Sequence, residues 1–336
     1  MNRQLLITLT CAALVAADAC AQRRRRGAEP TLEHFTTRTV SFESSALGGR
    51  EASYRVYLPI DYDDEANAER DYPLVVWLHG LWENQDRFHV RGGAEVLERM
   101  RAADEIPDLV FVCANGGNSF YIDGPDEKQG YETMIVDDLL DHLQKTYRIS
   151  KDRGSRAITG VSMGGNGALK IALKHPDKFG IVAAHSAALL PRDPDDLEKQ
   201  FPWIERRGGA KRAMAPIFGD PLDREKWDAE NVLHLAETVE PEQLEGLKIY
   251  FDCGDADDYG FYAPNVELEK ILEKRKIRHT WRSVEGGDHG WSYNQRALPE
   301  SLRFIRAGLS VKRATAGLGG LFGGNAESSS EKEEPK

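Results

Sequence analysis

The sequence predicts an α/β fold: a doubly wound, mostly parallel sheet opened by an antiparallel hairpin. Three observations carry it. Apolar runs at 74–78 and 109–112 are continuous rather than alternating, as strands covered on both faces must be. Between such runs, Met134, Ile135, Leu139, Leu140 and Leu143 recur at helix spacing, so strand and helix alternate. Near the start, Ala52, Tyr54, Val56 and Leu58 alternate with Ser53, Arg55 and Tyr57, the period of a half-buried antiparallel strand.

Taken in order, residues 1–21 have the form of a secretory signal. Arg3 supplies a positive start, 5–17 an apolar stretch, and Ala19-Cys20-Ala21 a small-x-small cleavage site before Gln22. The apolar stretch is too short to span a bilayer, so a secreted or periplasmic location without a membrane span is expected. Residues 22–37 read as a polar linker, with Arg23-Arg24-Arg25-Arg26 as a solvated spacer. Strands at 38–43 and 51–58 flank the Gly48-Gly49 turn and form the hairpin.

Parallel strands follow at 74–78, 109–112, 157–159, 181–184, 248–251 and 280–284. Helical patterns occupy 131–147 and 166–175, and recur through Val266, Leu268, Ile271 and Leu272. A polar, Pro-containing insert at roughly 191–246 follows the strand at 181–184. It is placed to cover the carboxyl ends of the strands, where open α/β sheets bind ligands. One domain therefore spans 38–312. Residues 313–336, rich in Gly, Ser and Glu, read as a disordered tail.

Composition narrows the function. A net charge of −11 argues against a nucleic-acid partner, because phosphate binding wants a net basic face. Of four cysteines, Cys11 and Cys20 lie in the leader. Cys113 and Cys253 sit on strands that the usual order of this fold separates, and are expected free and buried. No His pair stands at metal-ligand spacing, so neither metal nor cofactor is expected.

The sharpest motif is Gly160-Val161-Ser162-Met163-Gly164-Gly165, between the strand at 157–159 and a helix. G-x-S-x-G in a strand–turn–helix setting is the nucleophile elbow of α/β-hydrolases. Side chains at 160 or 164 would collide with the neighbouring strand or helix. The turn pushes the Ser162 hydroxyl out at the top of the sheet and aims the helix dipole at developing negative charge.

A serine hydroxyl needs a base and an acid that orients it, in the chain order Ser, Asp or Glu, His. His289, in Gly286-Gly287-Asp288-His289-Gly290-Trp291 after the last strand, is the candidate base. His175 and His279 read as structural, and His185 precedes the acid. Asp257 is the first choice of acid, with Asp258 the alternative in the same acidic turn. The backbone N–H groups of Met163 and Leu81 are the candidate oxyanion donors, the latter following the strand at 74–78.

The runs Tyr72-Pro73-Leu74-Val75-Val76-Trp77-Leu78-His79-Gly80 and Asn115-Gly116-Gly117-Asn118-Ser119-Phe120-Tyr121, the elbow and Phe218-Gly219-Asp220-Pro221 together resemble the esterase D-like family of α/β-hydrolases. That family includes feruloyl and acetylxylan esterases, S-formylglutathione hydrolases and mycolyltransferases. The resemblance implies Ser162, Asp257 and His289 as the triad of a serine esterase. It also implies Trp82, Asn118, Tyr121 and Trp291 as substrate-binding residues. The sequence departs from many relatives in placing Asp288 between Gly-Gly and the His. Together with export, the resemblance implies an extracellular small-molecule or polysaccharide ester as substrate, such as feruloyl or acetyl esters of polysaccharide.

Overall fold

The computed structural model describes residues 30–310. The signal at 1–21, the arginine run and the tail at 313–336 lie outside the described residues.

Eight strands form one sheet: β1 (Phe35–Ser44), β2 (Arg50–Pro59), β3 (Leu74–Leu78), β4 (Val110–Ala114), β5 (Arg156–Val161), β6 (Ile181–His185), β7 (Lys248–Gly254) and β8 (His279–Val284). Their spatial order is β1-β2-β4-β3-β5-β6-β7-β8. β1 and β2 pair antiparallel, β2 meets β4 antiparallel, and every pairing from β4 to β8 is parallel. The predicted class is the observed one.

The hairpin is longer than expected. β1 takes in Phe35, Thr36 and Thr37, which the sequence assigned to the linker. Phe35 pairs with Pro59 and buries its ring in the same cluster as Tyr57, so the domain begins before residue 38. Tyr57 was expected on an exposed face, yet it is fully buried. β4 lies beside β2, and Phe88 and Phe111 cover that face.

Side-chain alternation in the central strands divides the core into two. Val76, Leu78, Val110, Val112 and Ile158 point to one face; Val75, Trp77, Phe111, Cys113 and Ala157 point to the other. Helix α1 (Gly93–Ala102) and the last helix, α8 (Trp291–Gly308), close the second face. The first face is closed by the remaining helices. α2 begins at Tyr131–Thr133 and runs on as a π-helical Met134–Leu139 and an α-helical Leu140–Thr146. α3 (Met163–Lys174), the insert and α7 (Tyr262–Lys274) complete that layer. The insert folds as helices α4 (Gly209–Phe218), α5 (Arg224–Glu230) and α6 (Val232–Thr238) with shorter turns.

Cys113 on β4 and Cys253 on β7 are free and buried, with β3, β5 and β6 between their strands. Burial pushes both thiols above the ordinary range, so neither supplies a thiolate nucleophile. Among the described residues, no helix is long and apolar enough to cross a membrane.

Candidate active site

The elbow follows from two glycines. A Cβ at Gly164 would lie 2.0 Å from the Leu78 carbonyl oxygen, and one at Gly160 would lie 2.4 Å from the Gly164 oxygen. Their absence lets α3 start directly against the ends of β3 and β5. Ser162 occupies the turn with φ +58° and ψ −119°, a backbone region costly for a residue with a Cβ. Its N–H donates to the His185 carbonyl at 2.9 Å, and its own carbonyl accepts from Ala188 at 2.9 Å and Asn166 at 3.0 Å. These bonds hold the strain. The helix begins at Met163, three residues before the pattern suggested, because the turn leads straight into it.

The base-bearing and acid-bearing loops meet through a second glycine pair. A Cβ at Gly254 would stand 2.0 Å from the Gly287 oxygen, so only glycine permits this crossing at the ends of β7 and β8. The Ala256 N–H donates to the Gly287 carbonyl at 3.0 Å, and Gly286 N–H to the Asp255 carboxylate at 2.7 Å. The crossing brings His289 Nδ1 within 2.8 Å of Asp257 Oδ2. Asp257 Oδ1 accepts from the backbone N–H groups of Tyr259 (3.0 Å) and Phe261 (3.3 Å), and its carboxylate is fully buried. Between the two candidate acids, the imidazole meets Asp257; Asp258 lines the cleft instead. The intervening Asp288 also borders the cleft and accepts from the Gly290 N–H at 3.0 Å, while His289 keeps its contact with Asp257. Tyr259 and Phe261 pack on that ring, with centroids 4.7 Å and 5.0 Å away.

Ser162 and His289 line one cleft of about 570 Å³, together with Leu81 and Met163. With Nδ1 engaged, Nε2 is the ring nitrogen left for the hydroxyl. No hydrogen bond joins the two side chains here, and such contacts commonly tighten when substrate binds. Neither the Leu81 nor the Met163 N–H has an acceptor among the described residues. Met163 opens α3, where backbone donors are necessarily unsatisfied. His79, beneath the Leu81 turn, contacts the Gly80 carbonyl through Nδ1 at 2.7 Å, while Nε2 accepts from the Gly116 N–H at 3.1 Å. Burial pushes its pKa below the usual histidine value, which keeps the ring neutral for that role.

The residues expected to bind substrate divide. Trp82 and Trp291 line the cleft. Asn118 and Tyr121 do not. Asn118 Oδ1 accepts from the Trp82 backbone N–H at 2.8 Å, holding Trp82 at φ +62°. Tyr121 is completely buried and donates its hydroxyl to the His79 carbonyl at 3.1 Å. The tight glycine turn folds its ring inward: a Cβ at Gly116 or Gly167 would collide with it. Phe120, its neighbour, reaches the cleft instead.

The sequence analysis also left out Glu83, Arg87, Trp203, Tyr259 and Phe261, all of which line the cleft. Tyr259 and Phe261 lie close enough to Asp257 in sequence to have been considered. Trp203 comes from the insert and packs edge-on against Trp82 with centroids 6.4 Å apart, a contact without local signal. A second His–carboxylate pair exists, but it is sealed. His185 Nδ1 lies 2.9 Å from Asp252 Oδ2 and its Nε2 2.9 Å from Ser301 Oγ, all three residues buried. His175 Nε2 contacts Glu132 Oε1 at 2.7 Å, and His279 Nδ1 contacts the Ile277 carbonyl at 2.8 Å.

The comparisons with known proteins bear on the family and the fold. The sequence matches the esterase family over residues 44–305. It is 28% identical over 154 residues to an endo-1,4-beta-xylanase/feruloyl esterase of Xylanibacter ruminicola, covering 44% of this chain and 21% of that protein. It is 24% identical over 267 residues to an esterase of Mycobacterium tuberculosis, covering 73% of this chain and 54% of the relative. The chain thus spans about a fifth and about half of the length of these relatives. A solved ferulic acid esterase superposes with a TM-score of 0.67 at 28% identity, over 82% of this chain and 100% of the other. An S-formylglutathione hydrolase from Agrobacterium tumefaciens shares the fold, with a TM-score of 0.64 at 22% identity over 84% of this chain and 99% of the other. By its family match, and consistently with its sheet order and elbow, the chain belongs to the esterase family, within the α/β-hydrolase fold.

Proposed function

We propose that this chain is a serine esterase that cleaves carboxylic esters through an acyl-enzyme on Ser162. The observation that carries the reading is the meeting, in one cleft, of an elbow serine, a carboxylate-oriented histidine and two unpaired backbone donors. Ser162 Oγ attacks the ester carbonyl as His289 Nε2 takes its proton, and Asp257 stabilises the resulting imidazolium. The carbonyl oxygen, now an oxyanion, accepts from the Leu81 and Met163 N–H groups at the positive end of α3. The C–O bond to the alcohol breaks as His289 returns the proton to it. Water then attacks the acyl-enzyme by the same steps in reverse and releases the acid.

The cleft walls favour one substrate class. Trp82, Trp203, Tyr259, Phe120 and Trp291 give it an aromatic lining larger than an acetyl group needs. Feruloyl esters of polysaccharide fit that lining better than acetyl esters, and the similarity to feruloyl esterases supports the same choice. A leader of secretory form supports an extracellular substrate.

Initial rates on methyl ferulate, p-nitrophenyl acetate and acetylated xylan, with Ser162→Ala beside the wild type, test both parts. The expected result is a higher kcat/KM for methyl ferulate than for the acetyl esters. The variant should lose at least about a thousand-fold. Equal activity in the variant would remove Ser162 as nucleophile. Preference for acetylated xylan would reverse the substrate assignment.

A further inference from the structure

The oxyanion turn and the base-bearing loop are far apart in sequence, yet one carboxylate touches both. Glu83 lies in the loop after β3 with its side chain only 14% exposed. Its Oε2 accepts from the Gly80 N–H at 3.0 Å, immediately before the Leu81 donor. Its Oε1 accepts from Trp291 Nε1 at 3.4 Å, two residues after His289. Arg87, four residues on, forms an ion pair with Oε1, and its guanidinium lies 5.8 Å from the centre of the Trp291 ring. A Cβ built at Gly80 would be 3.1 Å from Glu83 Oε2 and 3.6 Å from Ser162 Cβ, so the carboxylate stands close behind the nucleophile.

We propose that Glu83 is a positioning residue that holds the Leu81 oxyanion turn and the His289 loop in a fixed relation, with Arg87 neutralising its charge. The inference rests on the serine-esterase reading above. Glu83 neither attacks nor exchanges a proton. Its work is to occupy the Gly80 N–H, which fixes the peptide plane beside Leu81, while anchoring the first turn of α8 behind His289. A carboxylate is required because each of its oxygens accepts from a different donor. Glutamine offers one acceptor and one donor, so one contact would become donor against donor. The Gly80 bond is the shorter, so a glutamine keeps it and turns its NH₂ toward Trp291. Arg87 removes the other difficulty: an uncompensated negative charge beside Ser162 would oppose the oxyanion that the turn exists to stabilise.

The effect belongs to the transition state, and the test reads it there. Glu83→Gln and Glu83→Ala are compared with wild type for kcat and KM on methyl ferulate or p-nitrophenyl acetate. Affinity for an aryl boronic acid, which forms a tetrahedral adduct with an active serine, is measured alongside. Rates are normalised to the active sites titrated with a fluorophosphonate, so a loss of folded protein does not count. Glu83→Gln should lower kcat about tenfold and Glu83→Ala about a hundred-fold, approaching the loss of one oxyanion donor. KM should stay within about twofold, and boronate affinity should fall in proportion to kcat. If both variants keep kcat and boronate affinity within about twofold per active site, the inference is wrong. It is equally wrong if only the titrated fraction falls, because the role is then structural. Ser162→Ala separates the two readings. An active Ser162→Ala overturns the serine-esterase proposal itself. A silent Ser162→Ala beside unimpaired Glu83 variants overturns only the role of Glu83.

Discussion

Asp257 has both carboxylate oxygens committed, one to the His289 imidazole at 2.8 Å and the other to two backbone N–H groups, while its neighbour Asp258 faces the cleft. The sequence set these two acids side by side and left the choice between them open; the direction of a single turn decides it. Asp257→Asn puts an amide where Nδ1 needs a carboxylate, so the imidazole loses its orienting acceptor and the partner of its charged form. A loss in kcat of about a thousand- to ten-thousand-fold is expected. Asp258→Asn should stay within about threefold. Steady-state rates for the pair check this, and a reversed order would assign the acid to Asp258. Tyr121 gives the same lesson. Its type and loop suggested a pocket wall, but a tight glycine turn rotates it beneath His79, where it supports the oxyanion turn from below.

At the scale of elements, the site is held by glycines where strands and helices cross. Gly164 and Gly254 each leave a backbone approach in which a Cβ would sit 2.0 Å from a carbonyl oxygen. Gly164→Ala must therefore drive α3 away from β3, although β3 and β5 are locked by parallel pairing. Because the clash is with backbone, a destabilisation of at least about 3 kcal/mol, the upper end of overpacking costs, is expected, with loss of the elbow geometry. Gly286 is the internal comparison. It has positive φ, but a Cβ there would meet nothing within 4 Å. Gly286→Ala should therefore cost only the conformational strain of about 1–2 kcal/mol. Urea denaturation midpoints of the two variants test the contrast. Equal midpoints would show that the elbow can absorb a methyl group.

For the whole molecule, two buried titrating sites give acid sensitivity the same sign. Burial pushes His79 below its ordinary value of 6.5, against the opposing pull of the Gly80 carbonyl and Glu83. Glu132 is buried, which alone would raise it. Lys170, His175 and Lys174 outweigh burial and hold it well below its ordinary 4.5. Lys170, from α3, is fully buried between Glu132 and Glu230, so this cluster ties α2, α3 and the insert helix α5 together. In both cases the unfolded chain binds more protons than the folded one, so stability rises with pH across each window. The contribution of His79 is complete above about pH 6.5 and is lost as pH falls below it. The contribution of Glu132 is complete above about pH 4.5 and is lost below that. Unfolding free energies measured from pH 8 to pH 4 should decline in that order, and His79→Gln should flatten the first decline. An unchanged slope in His79→Gln would show that another group titrates there.

Much of this protein was legible along the chain because its signals are local. Uninterrupted apolar runs announce strands covered on both faces, and G-x-S-x-G between strand and helix announces the elbow. A histidine in a glycine-rich loop after the last strand falls where the chain order Ser, acid, His puts the base. Those patterns determined the fold class and singled out Ser162 and His289 as candidates. The rest depended on contacts between distant segments, which no window of sequence contains. Whether Asp257 or Asp258 meets the imidazole depends on a crossing of backbones at Gly254 and Gly287. That Trp203 faces Trp82 depends on how a helical insert folds over the ends of the strands. Glu83 could be assigned only once the loop after β3 and the first turn of α8 were seen to share its carboxylate. Periodicity and turn chemistry act over a few residues, so the sequence determines elements and their order. A site built from the ends of six strands, β3 to β8, is decided by packing, which sets the final few ångströms.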